Sequence, residues 1–254
     1  MSKTDPWVVH KFGGSSVADA DCFRRVAAII EASPASRVAV VLSACRGVTD
    51  ALLRLVALAE RQDESFRGEI AELRARHGAI AAELLEPGSA WSYLESFDRD
   101  CRDLLAVLHA VTLTRAAAHN VTDLVAGYGE LWSTQLFQRF LAERARRPGP
   151  VQWVDARKVV IVEWGPLGPG VQWAESQANM NALVPGDFRG TLVITGFIAS
   201  DRRGVQTTIG RNGSDFSASI FGKLLAPPPR RAVGIAPLTT SRCHGRSRYA
   251  SSVR

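Results

Sequence analysis

Residues 7–43 read WVVHKFGGSSVADADCFRRVAAIIEASPASRVAVVLS, and this stretch decides the fold. It begins with a β-rich run at 7–12 that ends at two glycines, and a segment with helical spacing follows from about 19 to 32. Residues 37–43 form an apolar run, which is typical of a strand buried on both faces of a parallel sheet. The β-α-β order predicts a parallel sheet with right-handed crossovers.

The segments that follow predict helices that flank this sheet. Gly47 and the pair Thr49-Asp50 mark the start of an amphipathic helix that runs towards residue 62. Apolar residues then recur with helical period from about 65 to 118, with a break near Pro87, and another helix covers roughly 121–146. We therefore predict an α/β fold, a mainly parallel sheet sandwiched by helices, with a helical layer at about 65–146.

The last part of the chain returns to strand patterns. Residues 151–154 and 158–163 are β-rich, and GTLVITGFIA at 190–199 is the most strand-like run in the sequence. After the run VQTTIG, Ser214 is expected to act as the N-cap of a final helix.

Composition and cysteine spacing narrow the class of protein. Of the 254 residues 46% are apolar, which is ample for a buried core. No secretory signal and no apolar stretch of membrane-spanning length is apparent, so we expect a cytoplasmic protein. The four cysteines and five histidines are scattered without ligand spacing, which predicts reduced thiols and no metal site made by the protein itself.

The positive charge is concentrated at the end of the chain. Residues 223–254 contain seven basic residues and no acidic one, whereas the first 222 residues carry a net charge of −1. We expect residues 1–222 to form one domain and 223–254 to be an atypical, poorly ordered basic tail. Binding of nucleic acid through this tail is disfavoured, because Tyr249 is its only aromatic residue.

The sequence KFGGSS at 11–16 lies between the first strand and the first helix. Gly13 and Gly14 would let backbone N–H groups approach an oxyanion, and Lys11 would add a point charge for a phosphate that is being transferred. The alternative is ordinary turn chemistry, which is the more common reason for two glycines between a strand and a helix.

Two hydroxyl residues follow the strand at 37–43. Ser43 lies at its carboxyl end, where open α/β sheets bind ligands, and Thr49 follows shortly afterwards. The alternative is structural, with Ser43 ending the strand and Thr49 capping the next helix.

Gly127 and Gly129 interrupt a helical pattern just before Glu130. Each glycine costs about 1 kcal/mol of helix stability, which suggests that the backbone approaches another segment closely at this point. Glu130 could then bind an ammonium group of a substrate. Its alternative is a glutamate on a solvated helix face.

The sequence GRNGSD at 210–215 is the most specific of the four motifs. Arg211 offers a guanidinium group that can bind a carboxylate through two N–H groups, and Ser214 and its neighbours offer N–H groups for a phosphate. Asp215 offers an acid that can orient a lysine or Mg²⁺. Helix capping explains the serine and the aspartate but leaves Arg211 without a role.

Together, in this order and at this spacing, the four motifs resemble the signatures of the aspartokinases, over roughly residues 7–222. The resemblance implies the amino-acid kinase fold and transfer of the γ-phosphoryl group of ATP to the side-chain carboxylate of L-aspartate, the first step of lysine, threonine and methionine biosynthesis. It implies ATP with Mg²⁺ carried on the nucleotide, and it leaves a homo-oligomer open. By this resemblance, catalysis falls to Lys11 and Asp215, nucleotide binding to Lys11, Gly13, Gly14, Ser15 and Ser214, and aspartate binding to Ser43, Thr49, Glu130 and Arg211.

The resemblance ends after residue 222. The family continues there with further nucleotide contacts, which residues 223–254 do not match, so we expect a chain truncated on its C-terminal side, for example by a change of reading frame. The alternative function is a non-catalytic aspartokinase homologue or binding subunit.

Overall fold

A computed structural model describes residues 5–166, 168–210 and 213–226. Its strands are β1 (Val8–Phe12), β2 (Arg37–Leu42), β3 (Val151–Val154), β4 (Val162–Gly165), β5 (Gly168–Val171), β6 (Gly190–Thr195), β7 (Ile198–Ser200) and β8 (Gln206–Thr208). Its α-helices are α1 (Ala20–Glu31), α2 (Val48–Glu60), α3 (Phe66–Leu84), α4 (Pro87–Thr114), α5 (His119–Arg144), α6 (Trp173–Leu183) and α7 (Gly213–Leu225).

The central sheet has four strands in the order β1-β2-β6-β3, and every neighbouring pair is parallel. All residues of β2 and β6 are buried, as expected for strands covered on both faces. The predicted parallel α/β sheet is therefore confirmed. Two antiparallel hairpins, β4-β5 and β7-β8, lie outside this sheet.

The predicted helical layer is also confirmed, and α5 is the helix of this layer that packs on the sheet. It packs against β3 and β6, and also against α2 and α4, while α3 packs on α2 and α4. Residues 125–134 of α5 are buried without interruption. A helix surrounded on all sides shows no amphipathic stripe, so its place in the core is invisible to periodicity.

An aromatic cluster connects α5 to α3 and α4. The rings of Phe97 and Trp132 lie 4.1 Å apart, and the fully buried His77 packs on both. The indole N–H of Trp132 donates a hydrogen bond of 2.9 Å to Asp100. Rings at these separations add to the stability that comes from burial alone.

A buried aspartate on α5 holds the β7-β8 hairpin. The carboxylate of Asp123 accepts hydrogen bonds from the hydroxyls of Thr207 and Thr208 and from the Thr208 amide, at 3.0–3.1 Å. These contacts hold the end of the hairpin against α5.

The strand-like run at 190–199 is divided between two sheets. Strand β6 ends at Thr195 and β7 begins at Ile198, and Phe197 between them has a positive φ of 64°. Apolar composition predicted the burial of this run but not the turn within it. At the predicted run 158–163, a 3₁₀ turn (Ala156–Lys158) comes first and β4 begins only at Val162.

Two helices depart from the sequence-based expectation. Helix α6 was not predicted, because only Ser176 and Met180 in it are buried and its apolar face is correspondingly weak. Helix α7 begins at Gly213, so Ser214 lies inside its first turn and is not its N-cap. The helix continues to Leu225, three residues past the expected domain boundary, and the predicted tail from residue 227 lies outside the described residues.

The helices that the structure describes include none with the length and apolarity that crossing a membrane requires.

Candidate functional site

The site lies at the carboxyl edge of the parallel sheet. Phe12, Leu42 and Thr195 are register partners and each ends its strand, so the segments that follow them meet at one edge. Ligands of open α/β sheets bind at such edges. The predicted residues that belong to these segments are therefore brought together.

Lys11 and Asp215 form an ion pair across this edge. The Lys11 Nζ lies 3.0 Å from the Asp215 carboxylate, and the side chains are 25% and 65% exposed. Pairs this exposed contribute at most about 1 kcal/mol to stability. The geometry therefore holds the lysine in place while leaving its charge accessible to an anion.

The glycine turn lies beside this lysine. A 3₁₀ turn (Gly14–Val17) begins there, and its first internal hydrogen bond runs from the Ser16 amide to the Gly13 carbonyl at 2.9 Å. The amides of Gly14 and Ser15 therefore have no acceptor within the turn. A Cβ on Gly14 would lie 2.8 Å from the Ala44 carbonyl oxygen, so this position needs glycine.

A pocket of about 260 Å³ opens next to the turn. The predicted residues among its lining are Gly14, Ser43, Thr49, Glu130 and Ser214. The Ser43 hydroxyl donates a hydrogen bond of 2.8 Å to the Ser214 hydroxyl, which joins the end of β2 to the first turn of α7.

Thr49 does not cap α2. The N-cap is Gly47, whose φ of 75° lies in the left-handed region that favours glycine, and Thr49 lies within the first turn. The structural alternative for Thr49 is therefore wrong, and its side chain belongs to the wall of the pocket.

Glu130 is 3% exposed, so the alternative of a solvated glutamate is wrong as well. Its Oε1 accepts a hydrogen bond of 3.2 Å from the Ala44 amide, and its Oε2 has no partner among the described residues. Burial raises the pKa of Glu130 to about 8, since an ionised carboxylate loses most of its hydration there.

Ser133 connects two of the predicted residues, and sequence reasoning missed it. Its fully buried hydroxyl lies 2.8 Å from the Ser43 carbonyl and 3.2 Å from the Glu130 carbonyl. Its position three residues after Glu130 could have identified it, since residues three apart share a helix face. Phe197 also lines the pocket. The sequence did not indicate this, because the turn at Phe197 lies within a run that is apolar on both sides of it.

The two glycines of α5 allow close approach, as predicted. A Cβ on Gly129 would lie 2.6 Å from the Cβ of Ala44, and one on Gly127 would collide with the Gln206 side chain. The contact at Gly129 brings α5 close enough for Glu130 to reach the Ala44 amide.

Gly129→Ala is expected to lower the free energy of unfolding by about 1–3 kcal/mol, because the added methyl group overpacks a rigid contact. Gly68→Ala is the matched control, since Gly68 is also helical and a Cβ there meets nothing within 4 Å. It should be neutral or stabilise by up to about 1 kcal/mol. Urea unfolding of both variants measures the difference, and equal values would contradict the close approach.

Arg211 lies outside the described residues, so the structure does not position its predicted contact with a carboxylate. Within the described ranges, no cluster of three or more histidine, cysteine, aspartate or glutamate side chains is arranged to hold a metal ion.

Comparison with known proteins agrees with this architecture. The model of the amino acid kinase family matches residues 6–228. The chain is 34% identical over 228 residues to the chloroplastic bifunctional aspartokinase/homoserine dehydrogenase 1 of Arabidopsis thaliana, covering 88% of this chain and 24% of the plant protein. It is 36% identical over 221 residues to the lysine-sensitive aspartokinase 3 of Escherichia coli K12, covering 86% of this chain and 46% of that protein.

A solved aspartokinase structure is also similar to this chain. Aspartokinase III of E. coli, in complex with aspartate and ADP, superposes with a TM-score of 0.74 at 33% identity, over 87% of this chain and 47% of that one. The chain thus spans about a quarter of the plant relative and about half of the bacterial one. It belongs to the amino acid kinase family, and the relatives described here are aspartokinases.

Proposed function

We propose that the chain is an aspartate kinase, which transfers the γ-phosphoryl group of ATP to the side-chain carboxylate of L-aspartate. One observation carries the proposal: a pocket that combines a buried carboxylate with two hydroxyls lies next to an accessible lysine and a glycine turn. The E. coli relative whose solved structure contains aspartate and ADP supports the choice of substrates.

The pocket is suited to a small amino acid. Glu130 would accept hydrogen bonds from the ammonium group, and the Thr49 hydroxyl would donate to a carboxylate oxygen. The Ser43 hydroxyl would do the same after its proton turns away from Ser214. By the resemblance of its motif, the guanidinium of Arg211 is proposed to bind a substrate carboxylate through two N–H groups. A volume of about 260 Å³ accommodates such a ligand.

The phosphates would lie at the glycine turn. The amides of Gly13, Gly14 and Ser15 and the start of α7 at Ser214 provide N–H groups, and a helix N-terminus favours negative charge. Lys11 adds a positive charge that Asp215 holds in position. Mg²⁺, carried in with the nucleotide, would neutralise part of the phosphate charge.

The reaction requires no general base. The side-chain carboxylate of aspartate, with an ordinary pKa near 3.9, is already ionised at neutral pH. One of its oxygens forms a bond to the γ-phosphorus, and the bond from that phosphorus to the bridging oxygen breaks, which leaves ADP with the electron pair. The protein's task is to bring two anions together, and Lys11 does this by position and charge.

The direct test is formation of aspartyl phosphate, trapped as its hydroxamate, by purified protein with Mg-ATP. We expect a hydroxamate that requires both ATP and L-aspartate. Binding of aspartate by folded protein without any turnover would instead favour the non-catalytic homologue. Fractionation of cells that express the chain tests the proposed cytoplasmic location. Size-exclusion chromatography of the purified protein tests the proposed homo-oligomer.

A further inference from the structure

The buried carboxylate of Glu130 has too few hydrogen-bond donors for an anion. An ionised carboxylate has about four acceptor sites, and here the Ala44 amide fills one of them, at 3.2 Å. Oε2 has no partner among the described residues and adjoins the pocket that Glu130 lines. A buried charge with so little compensation is costly, and such a group tends to remain neutral instead.

The surrounding groups do not supply the missing charge. Among residues 5–166, 168–210 and 213–226, no cationic side chain pairs with Glu130. Cys45 is a buried thiol whose pKa is raised to about 12 by burial, so it is neutral. Among the described residues, the other charged groups near the pocket are Lys11 on β1, paired with Asp215 on α7, the exposed Arg46 before α2 and Asp50 on it, and Arg76 on α3, which donates a hydrogen bond to the Arg46 carbonyl.

We infer that Glu130 is a neutral carboxylic acid in the empty pocket, and that an ammonium group of the ligand binds by taking the place of its proton. The exchange is balanced: the acid and the ammonium ion become a carboxylate–ammonium pair, and one proton passes to the solvent. The inference rests on the proposed function, since it concerns the amino group of the same substrate.

The effect of pH follows from this exchange. With a Glu130 pKa of about 8, most of the free protein is in the acid form at pH 7. Binding should therefore release close to one proton per ligand between pH 6 and 7. The Kd for aspartate should fall about tenfold for each pH unit in this range, and level off above pH 8.

Calorimetric titration of the whole chain with L-aspartate at pH 7 tests this directly. The measured heat should differ between phosphate and Tris buffers, because a released proton is taken up by the buffer and the two buffers have different protonation enthalpies. Succinate, which lacks the amino group, should release no proton. If Glu130→Gln binds aspartate, its heat should be the same in both buffers; if it does not, the pH dependence of the wild-type Kd decides.

The outcomes separate the two proposals. Equal heats in both buffers, or a Kd that does not change between pH 6 and 8, would overturn the inference and leave the proposed function intact. A cation that keeps Glu130 ionised would produce this result. No binding of aspartate at any pH would overturn the proposed substrate, and the inference with it.

Discussion

Replacing Lys11 with alanine is expected to lower the rate of aspartyl phosphate formation by about 10²–10³-fold, the size of effect seen when one preorganised group that stabilises developing charge is removed. Lys11 is the positive charge that the structure positions at the glycine turn, with its Nζ 3.0 Å from Asp215. The loss should appear in kcat, because the charge acts on the phosphoryl group during transfer.

The variant should remain folded, since the exposed Lys11–Asp215 pair contributes little to stability. Lys158→Ala is a suitable control, because Lys158 is an exposed lysine outside the site, and its turnover should match that of the wild type. A Lys11→Ala protein with full turnover would remove Lys11 from the catalytic role.

Raising the pH from about 4.5 to 8 is expected to destabilise the wild-type protein relative to Glu130→Gln, in the absence of ligand. The pKa of Glu130 rises from its ordinary 4.5 to about 8 on folding, so the folded state holds a proton that the unfolded state has released. Stability from this group is therefore complete below pH 4.5 and is lost as the pH passes through 8. The full difference is roughly 3–5 kcal/mol, at about 1.4 kcal/mol per pH unit.

His77 has the opposite dependence. Its burial lowers the pKa from 6.5 to about 4, so acidification below pH 6.5 favours the unfolded state. Both variants keep His77, and subtracting their unfolding free energies cancels its effect. Denaturant unfolding from pH 5 to 8.5 gives this difference, and a constant value across the range would show that Glu130 is ionised throughout.

The sheet was predictable from sequence because its two central strands, β2 and β6, are buried on both faces. Residues 37–42 are apolar enough to be recognised alone, and β2 is indeed buried at every residue. The break at Phe197 was not predictable in this way, because hydrophobicity reports burial and not backbone direction. Helix α6 was not predictable from hydrophobicity either, because only two of its residues are buried.

The candidate site was predictable in part. Each motif alone permitted a structural explanation, and it was their joint order that selected Lys11, Glu130 and Asp215. The structure brings Lys11 to Asp215 and places Glu130 in a pocket with Ser43. Ser133 acts on its neighbours through main-chain carbonyls, and contacts of this kind depend on tertiary packing that no local pattern records.

The uninterrupted burial of residues 125–134 of α5 has a consequence for how the pocket adapts to its ligands. A segment without a solvent-facing side has no low-energy route to local opening, so it should open only when the whole domain unfolds. Glu130 therefore lies on a rigid side of the pocket. Adjustment to the size of a ligand falls to the opposite wall, which contains Phe197 and the first turn of α7. The Ser43–Ser214 hydrogen bond and the exposed Lys11–Asp215 ion pair connect that turn to the sheet.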